Sequence, residues 1–564
     1  MRMARNWSVV LFLLTLSILH FGKVKSQIPW YKTTTVYQIY PRSFYDSNGD
    51  GIGDLKGILS KLDYLKFLGV ETIWISPFFA SPQADFGYDI SDFKSIAPEY
   101  GNLADCESLL IEVHKRGMRI VFDLVMNHTS DQHPWFLESA SSENNPKRDW
   151  YIWKKGKKEP TNWKSMTGGS GWHYDKRTDS WFWATFLPFQ PDLNYNNPET
   201  KEEMLQTARF WLKKGVDGFR LDIFNCLYED SLFRDNPSSL RMVPSEENTD
   251  AFFQKNTYTQ NQPGSIQFAQ ELRQVMNEFS EPKYSVGEVF GKADVINKFC
   301  ANGQGIHSVF LFKTLHTKFK AKAWGKLILE ADSNFKEPLF PTWVLSNHDK
   351  KRFISRLGHK EEKMRLISAL QLTQRGIPFL YYGEEIGMEQ QQIPFKAALD
   401  PIPKKFGRFA NGLARMSGES MNRDECRTPM QWDSTQNAGF SQGGNTWLPI
   451  GKDYKKRNVK AFEAEPNSLF NHYKNLLKLR KEREILSLGK VEKVSWKGKI
   501  LQITRTWQKK KALLIYNFGK GKKKISLPEG GKVFILTNTY QKERNWLFPY
   551  QAVLWVDDSY QPIN

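Results

Sequence analysis

Short apolar runs alternate along this chain with longer stretches in which apolar residues recur at helical spacing. Thr34–Arg42, Val70–Ser76, Arg119–Asn127, Gly215–Asn225, Tyr284–Phe290, Ser308–Phe312, Thr342–Asp349 and Pro378–Gly383 read as eight strands. Amphipathic helices are expected over Leu55–Leu68, Asp105–Arg116, Glu199–Lys214 and Gln267–Phe279, each leading into the next strand. Strand and helix in regular alternation predict a parallel sheet closed as a (β/α)8 TIM barrel. A doubly wound open sheet is the competing architecture, and no glycine-rich nucleotide loop supports it.

Two connections exceed any plain strand-to-helix loop. The first, Thr129–Pro198, is rich in Trp, Gly and Lys and predicts an inserted subdomain after the third strand, at 129–198. The second runs from Met388 to about Gly451. The helix Asn467–Arg483 closes the barrel, assigned to 27–128 and 199–484. Beyond it, β-prone runs (Ile500–Thr506, Ala512–Tyr516, Val533–Leu536) alternate with Gly- and Lys-rich turns. These predict a C-terminal antiparallel β-sandwich domain at 485–564.

With 564 residues the chain can bury large cores without staples. Cys106, Cys226, Cys300 and Cys426 follow no zinc or redox spacing, so buried free thiols are expected. At the N-terminus, Arg2 and Arg5 precede the apolar run Trp7–Phe21 and then Val24-Lys25-Ser26. That pattern predicts a secretory signal peptide over 1–26 and an extracellular protein with no stable membrane span. Its removal takes four lysines and arginines and no acid, lowering the formal charge from +19 to +15. Trp555-Val556-Asp557-Asp558 provides no hydrophobic tail of the kind a lipid anchor requires. The remaining basic excess lies largely in runs such as Lys509-Lys510-Lys511 and Lys520–Lys524. Without a groove-reading motif, these describe a solvated surface and no nucleic-acid partner.

Candidate chemistry gathers at strand ends. The third strand carries Asp123 and ends at Asn127-His128, the fourth presents Arg220 and Asp222, the fifth Gly287-Glu288, and the seventh Asn347-His348-Asp349. Arg220 and Asp222, two apart, share a strand face. Alone they could be a structural ion pair. Several acids with His and Arg converging on one barrel mouth instead describe an active site. Two carboxyls suit retaining glycoside hydrolysis. Arg220 is expected to keep Asp222 ionised as nucleophile, while Glu288, near other acids, is pushed upward and stays protonated. Asp349 would bind hydroxyls and stabilise developing positive charge. After the first strand comes an acidic turn, Asp46-Ser-Asn48-Gly-Asp50-Gly-Ile52-Gly-Asp54, with oxygen ligands at alternate positions as calcium requires. It is not an EF-hand, and a polar turn is the alternative.

Asp123–His128, Gly218–Asp222, Gly287-Glu288 and Asn347–Asp349 closely resemble conserved segments of the α-amylase family of glycoside hydrolases. Gln190–Asn194 and Arg427–Trp432 resemble its α-glucosidase and oligo-1,6-glucosidase branch, which includes insect maltases and sucrases. The resemblance implies Asp222 as nucleophile, Glu288 as general acid/base and Asp349 as transition-state stabiliser. It implies that His128, Arg220 and His348 hold the glucosyl unit, that Tyr88 stacks on it, and that Phe186 and Gln190 lie near the cleaved bond. It implies that Asp85 pairs with Arg427 to close the pocket, so that one terminal glucose is removed at a time from a small saccharide. It also matches the acidic turn to a calcium loop formed by Asp46, Asn48, Asp50, the Ile52 carbonyl and Asp54. The residue after the nucleophile tends to be Val in α-1,6 enzymes of the branch and Ala or Thr in α-1,4 enzymes. Here it is Ile223, which leaves linkage preference open. A transglucosylase or sucrose isomerase on the same scaffold, and a non-catalytic transporter-associated homologue, are the rival expectations.

Overall fold

A computed structural model describes residues 28–243, 245–416, 420–537 and 545–557, so the signal peptide expected over 1–26 lies outside the described residues. Eight parallel strands form one sheet: β1 (Val36–Ile39), β2 (Thr72–Ile75), β3 (Arg119–Val125), β4 (Gly218–Asp222), β5 (Tyr284–Gly287), β6 (Ser308–Val309), β7 (Thr342–Val344) and β8 (Ile377–Tyr381). Their spatial order is β6-β5-β4-β3-β2-β1-β8-β7, the cyclic order of a TIM barrel. At the seam between β6 and β7 the Thr342 hydroxyl donates to the Val309 carbonyl at 2.9 Å and accepts the Leu311 N–H at 3.0 Å.

Two apolar layers follow from the two faces of each strand. Val36, Trp74, Val121, Val286, Phe310, Val344 and Phe379 form a cluster inside the barrel. Ile73, Ile75, Ile120 and Phe122 join the larger core between sheet and helices. Strand spacing leaves no room for side chains at some positions. A Cβ at Gly218 would lie 1.8 Å from the Tyr284 carbonyl oxygen on β5, so only glycine fits there.

Most strands are shorter than the apolar runs suggest. β1 stops at Ile39 because Pro41 opens a short helix, Pro41–Phe44, and the helix expected over Leu55–Leu68 divides at Lys61 into Leu55–Ser60 and Leu62–Leu68. The other amphipathic segments form helices Leu103–Lys115, Pro198–Lys213 and Pro263–Asn277. All four cysteines are buried and free.

The connection after β3 contains a three-stranded antiparallel sheet, in the order Trp153–Lys155, Ser180–Trp183, Trp172–Asp175. Trp163, Trp172 and Trp183 pack beneath it, and Phe233 stacks on Trp163 with centroids 5.6 Å apart. Phe233 belongs to a third long connection, 223–262 after β4, which the sequence pattern does not announce. The connection after β8 folds back over the acidic turn. There the Trp447 N–H donates to the Gly51 carbonyl at 3.0 Å and the Asp46 N–H to the Phe440 carbonyl at 3.0 Å.

The C-terminal region has a five-stranded antiparallel sheet, Lys490–Lys497, Ile500–Trp507, Lys510–Asn517, Ala552–Val556 and Lys532–Ile535 in spatial order, and a two-stranded partner, Lys523–Lys524 with Trp546–Leu547. Leu501 and Ile503, at alternate positions, bury into the core they share with the barrel helices. Arg505 completes that inner face. Its guanidinium donates to the carbonyls of Gly489, Leu486 and Thr373 and so ties this sheet to the barrel.

Candidate active site

The turn after β4 sets the geometry. Ile223 holds a left-handed backbone (φ 39, ψ 46), rare for a β-branched residue. This strained turn is strapped to the end of β5: the Phe224 N–H donates to the Glu288 carbonyl and the Glu288 N–H to the Leu221 carbonyl, both at 2.8 Å. The strap brings the Asp222 and Glu288 side chains, 66 residues apart in sequence, to one place. A single guanidinium bridges them. Arg220 donates to Asp222 Oδ1 at 2.6 Å, to Asp123 Oδ1 at 2.8 Å, and through Nη2 to Glu288 Oε2.

Asp222 and Glu288 face a cavity of about 170 Å³, together with Asp85, Tyr88, His128, Phe186, Gln190 and Asp349. Every expected catalytic residue is therefore at the cavity, as are five of the expected substrate contacts. Arg220, His348 and Arg427 stand behind its wall, each at most 2 % exposed.

The pairing expected to close the pocket is corrected by the structure. Asp85 pairs with Arg423, whose Nη2 lies 2.5 Å from Asp85 Oδ1, and not with Arg427. Arg423 opens the 3-10 turn Arg423–Cys426 and Arg427 follows it. Arg427, at its end, turns inward and donates to Asp349 Oδ1 and to the His348 carbonyl, each at 2.8 Å. Arg423 faces the cavity, held by Asp400 and 3.5 Å from Asp349. Sequence reasoning passed over Arg423 because the Arg-Thr-Pro-Met-Gln-Trp motif begins only at Arg427. Glu246, Lys350, Asn347, Phe290 and Phe312 also face the cavity without having been singled out as site residues.

The charges differ from expectation as well. Burial pushes Asp222 up to about 7; Arg220 opposes this, and Asp123 and Asp349 add to it. Arg220 cannot hold Asp222 low because its one charge is divided among Asp123, Asp222 and Glu288. Burial likewise takes Asp123 up to about 6 against the pull of Arg220. Asp123 also accepts from Trp74 Nε1 at 3.2 Å and the Tyr88 hydroxyl at 3.3 Å, as a positioning residue does. Burial would raise Asp349 too, yet His348, Arg423 and Arg427 hold it far below the usual carboxylate range. The durable part comes from the arginines, since burial lowers His348 itself to about 3 and leaves it neutral.

The imidazoles are fixed by their partners. His348 Nδ1 accepts from Gln38 Nε2 at 2.7 Å, which leaves Nε2–H for the Tyr88 hydroxyl at 2.5 Å and Asp349 Oδ2 at 3.2 Å. Tyr88 lies flat on this ring, centroids 5.4 Å apart and planes 7° from parallel. His128, lowered to about 4 by burial, donates from Nε2 to the Tyr88 carbonyl at 3.0 Å. Gln190 Nε2 reaches Asp85 Oδ2 at 3.2 Å.

A family model described as the α-amylase catalytic domain matches residues 38–489. The chain belongs to the α-amylase family of glycoside hydrolases. Among its relatives in this family, an oligo-1,6-glucosidase of Parageobacillus thermoglucosidasius is 38 % identical over 530 residues, covering 89 % of this chain and 92 % of the relative. An α-glucosidase of Culex pipiens is 39 % identical over 472 residues, covering 81 % and 76 %. Among solved structures, the α-glucosyl transfer enzyme XgtA superposes with a TM-score of 0.86 at 34 % identity, covering 94 % of this chain and all of the other. The trehalulose synthase MutB of Pseudomonas mesoacidophila MX-45 gives 0.83 at 32 % identity, covering 94 % and 99 %.

The acidic turn is built from its own hydrogen bonds. Asp46 accepts the N–H groups of Asn48, Gly49 and Gly51 at 2.7–3.1 Å. Asp54 accepts from Ser47 and from the Gly57 N–H, and Asp50 Oδ1 takes the Ile52 N–H at 2.8 Å. None of these residues lines the cavity. Among the described residues no group of three or more His, Cys, Asp or Glu side chains is disposed to hold a metal. The donors of the turn are nonetheless all hard oxygens, the ligand type calcium takes.

Proposed function

We propose that the protein is a secreted, exo-acting α-glucosidase that releases terminal glucose from small α-glucosides such as maltose, isomaltose or sucrose, with retention of configuration. One observation carries this reading: two carboxyls bridged by one guanidinium face a cavity walled by the Asp85–Arg423 pair. Asp222 attacks the anomeric carbon and Glu288 protonates the departing oxygen; water then cleaves the glucosyl-enzyme with Glu288 as base. Asp349, kept ionised by its arginines, accepts hydrogen bonds from sugar hydroxyls that strengthen as the ring becomes positive. That same positive charge favours the ionised form of Asp222 as the bond breaks.

The pattern Arg2, Arg5, Trp7–Phe21 and Ser26 supports secretion, and no helix among the described residues is long and apolar enough to cross a membrane. Likeness to an α-glucosyl transfer enzyme and a trehalulose synthase favours a second reading, in which a sugar hydroxyl replaces water in the second step. Incubation with maltose, isomaltose, sucrose, trehalose and starch, followed by NMR, separates the two. Release of α-glucose from disaccharides with little attack on starch is the expected result. Isomerised sucrose as the main product supports the second reading, and rapid internal cleavage of starch overturns both.

Structural calcium at Asp46, Asn48, Asp50, the Ile52 carbonyl and Asp54 is part of the proposal, with no catalytic step through it. The turn supports the connection that carries Arg423 and Arg427, so calcium loss should act through stability. Chelation is expected to lower the Tm by several degrees, restored by calcium and abolished in Asp50→Ala. An unchanged Tm, with no heat of calcium binding by calorimetry, removes calcium from the account.

A further inference from the structure

Four of the connections at the barrel mouth meet at one glutamate, three of them at its carboxylate. Glu246, on the connection after β4, pairs with Lys350 after β7 and with His316 Nε2, after β6, at 3.0 Å. Its backbone carbonyl accepts the Gly291 N–H, after β5, at 2.8 Å. The next residue, Glu247, reaches Lys313 Nζ at 3.7 Å. Burial would raise the Glu246 carboxyl, but Lys350 and His316 hold it well below the usual range, so it is an anion.

A purely structural staple could sit anywhere along these loops. This one faces the cavity: Glu246 and Lys350 both line it beside Glu288, Phe290 and Asn347. Gly291, which anchors the Glu246 backbone, lies three residues beyond Glu288. Glu288 is the group that protonates the departing oxygen, so what adjoins its strand end adjoins the departing sugar. A carboxylate with an ammonium offers acceptor and donor together, which matches the vicinal hydroxyls of a sugar and nothing on a plain aryl group.

We propose that the Glu246–Lys350 pair determines leaving-group specificity: it binds hydroxyls of the departing sugar and, as a bar across four loops, limits that sugar to a single residue. This rests on the glucosidase reading. It selects polyhydroxylated leaving groups of one unit and disfavours longer chains.

The test compares kcat/KM of the wild type, Glu246→Gln, Lys350→Met and Lys350→Arg on maltose, maltotriose and p-nitrophenyl α-glucoside, with the Tm of each. Glu246→Gln and Lys350→Met are expected to lose about tenfold or more on maltose relative to the aryl glucoside, chiefly in KM. Their maltotriose-to-maltose ratio should rise as the bar loosens, and Lys350→Arg should restore most of the maltose activity. Equal losses on all three substrates with a lowered Tm would reduce the pair to a staple and overturn the inference. Unchanged ratios would overturn it too. A wild type that hydrolyses these substrates while the ratios stay fixed defeats only this inference; one that hydrolyses none defeats the glucosidase reading with it.

Discussion

Asp222→Asn should lower kcat on maltose by about four orders of magnitude or more, the scale seen when a nucleophile is removed and only binding and electrostatics remain. The fold should survive. The Ile223 turn is held by the Phe224 N–H on the Glu288 carbonyl and by the Phe290 N–H on Asn225 Oδ1, bonds that do not involve the Asp222 side chain. Because burial raises the Asp222 carboxyl to about 7, the folded state holds its proton more tightly than the unfolded chain. The stability this contributes is complete below the ordinary carboxylate range and is lost as pH rises toward about 7. The variant should therefore be at least as stable as the wild type at pH 8, which thermal unfolding measures. The same carboxyl predicts an ascending limb of kcat/KM through about pH 6 to 7, to which Asp123, on the same guanidinium and raised to about 6, also contributes. Activity within tenfold of wild type in Asp222→Asn would show that another residue forms the covalent bond.

Glu288→Gln is the second large effect, and its signature is in the leaving group. The sugar expelled from a disaccharide is a poor alkoxide leaving group and needs a proton, so maltose hydrolysis should fall by up to about 10⁴-fold. A p-nitrophenolate leaves unaided, so formation of the glucosyl-enzyme from the aryl glucoside should fall far less, with a burst of phenol as the intermediate accumulates. Azide needs no general base. It should speed turnover of the variant and give α-glucosyl azide, since the β-glucosyl ester on Asp222 is displaced from the opposite, α, face. Equal losses on both substrates, with no azide adduct, would assign Glu288 to positioning and not to proton transfer.

The expected charge states show where local reasoning stops. Arg220 and Asp222 are two apart on one strand, so their pairing at 2.6 Å follows from the alternation of side chains. What that pairing does to Asp222 depends on Asp123 and Glu288, which share the same guanidinium from neighbouring strands. Four positions likewise separate Arg423 from Arg427, and only the packing of the turn decides which of them meets Asp85. The connection 223–262 carries neither periodicity nor a motif, yet it delivers Glu246 to the cavity. Its position comes from contacts with Lys350, His316 and Gly291, distant in sequence.

The sequence by itself determined the eight strands, their order and the polar residues at their ends, because side-chain alternation and turn chemistry are short-range and a barrel carries its strand ends to one mouth. Which arginine meets Asp85, how far Asp222 is driven from an ordinary acid, and that Glu246 and Lys350 face the cavity with Glu288 follow from the packing of the whole chain. Those outcomes are set by distances between residues far apart in the chain, and Coulomb energy and desolvation depend on such distances and on burial.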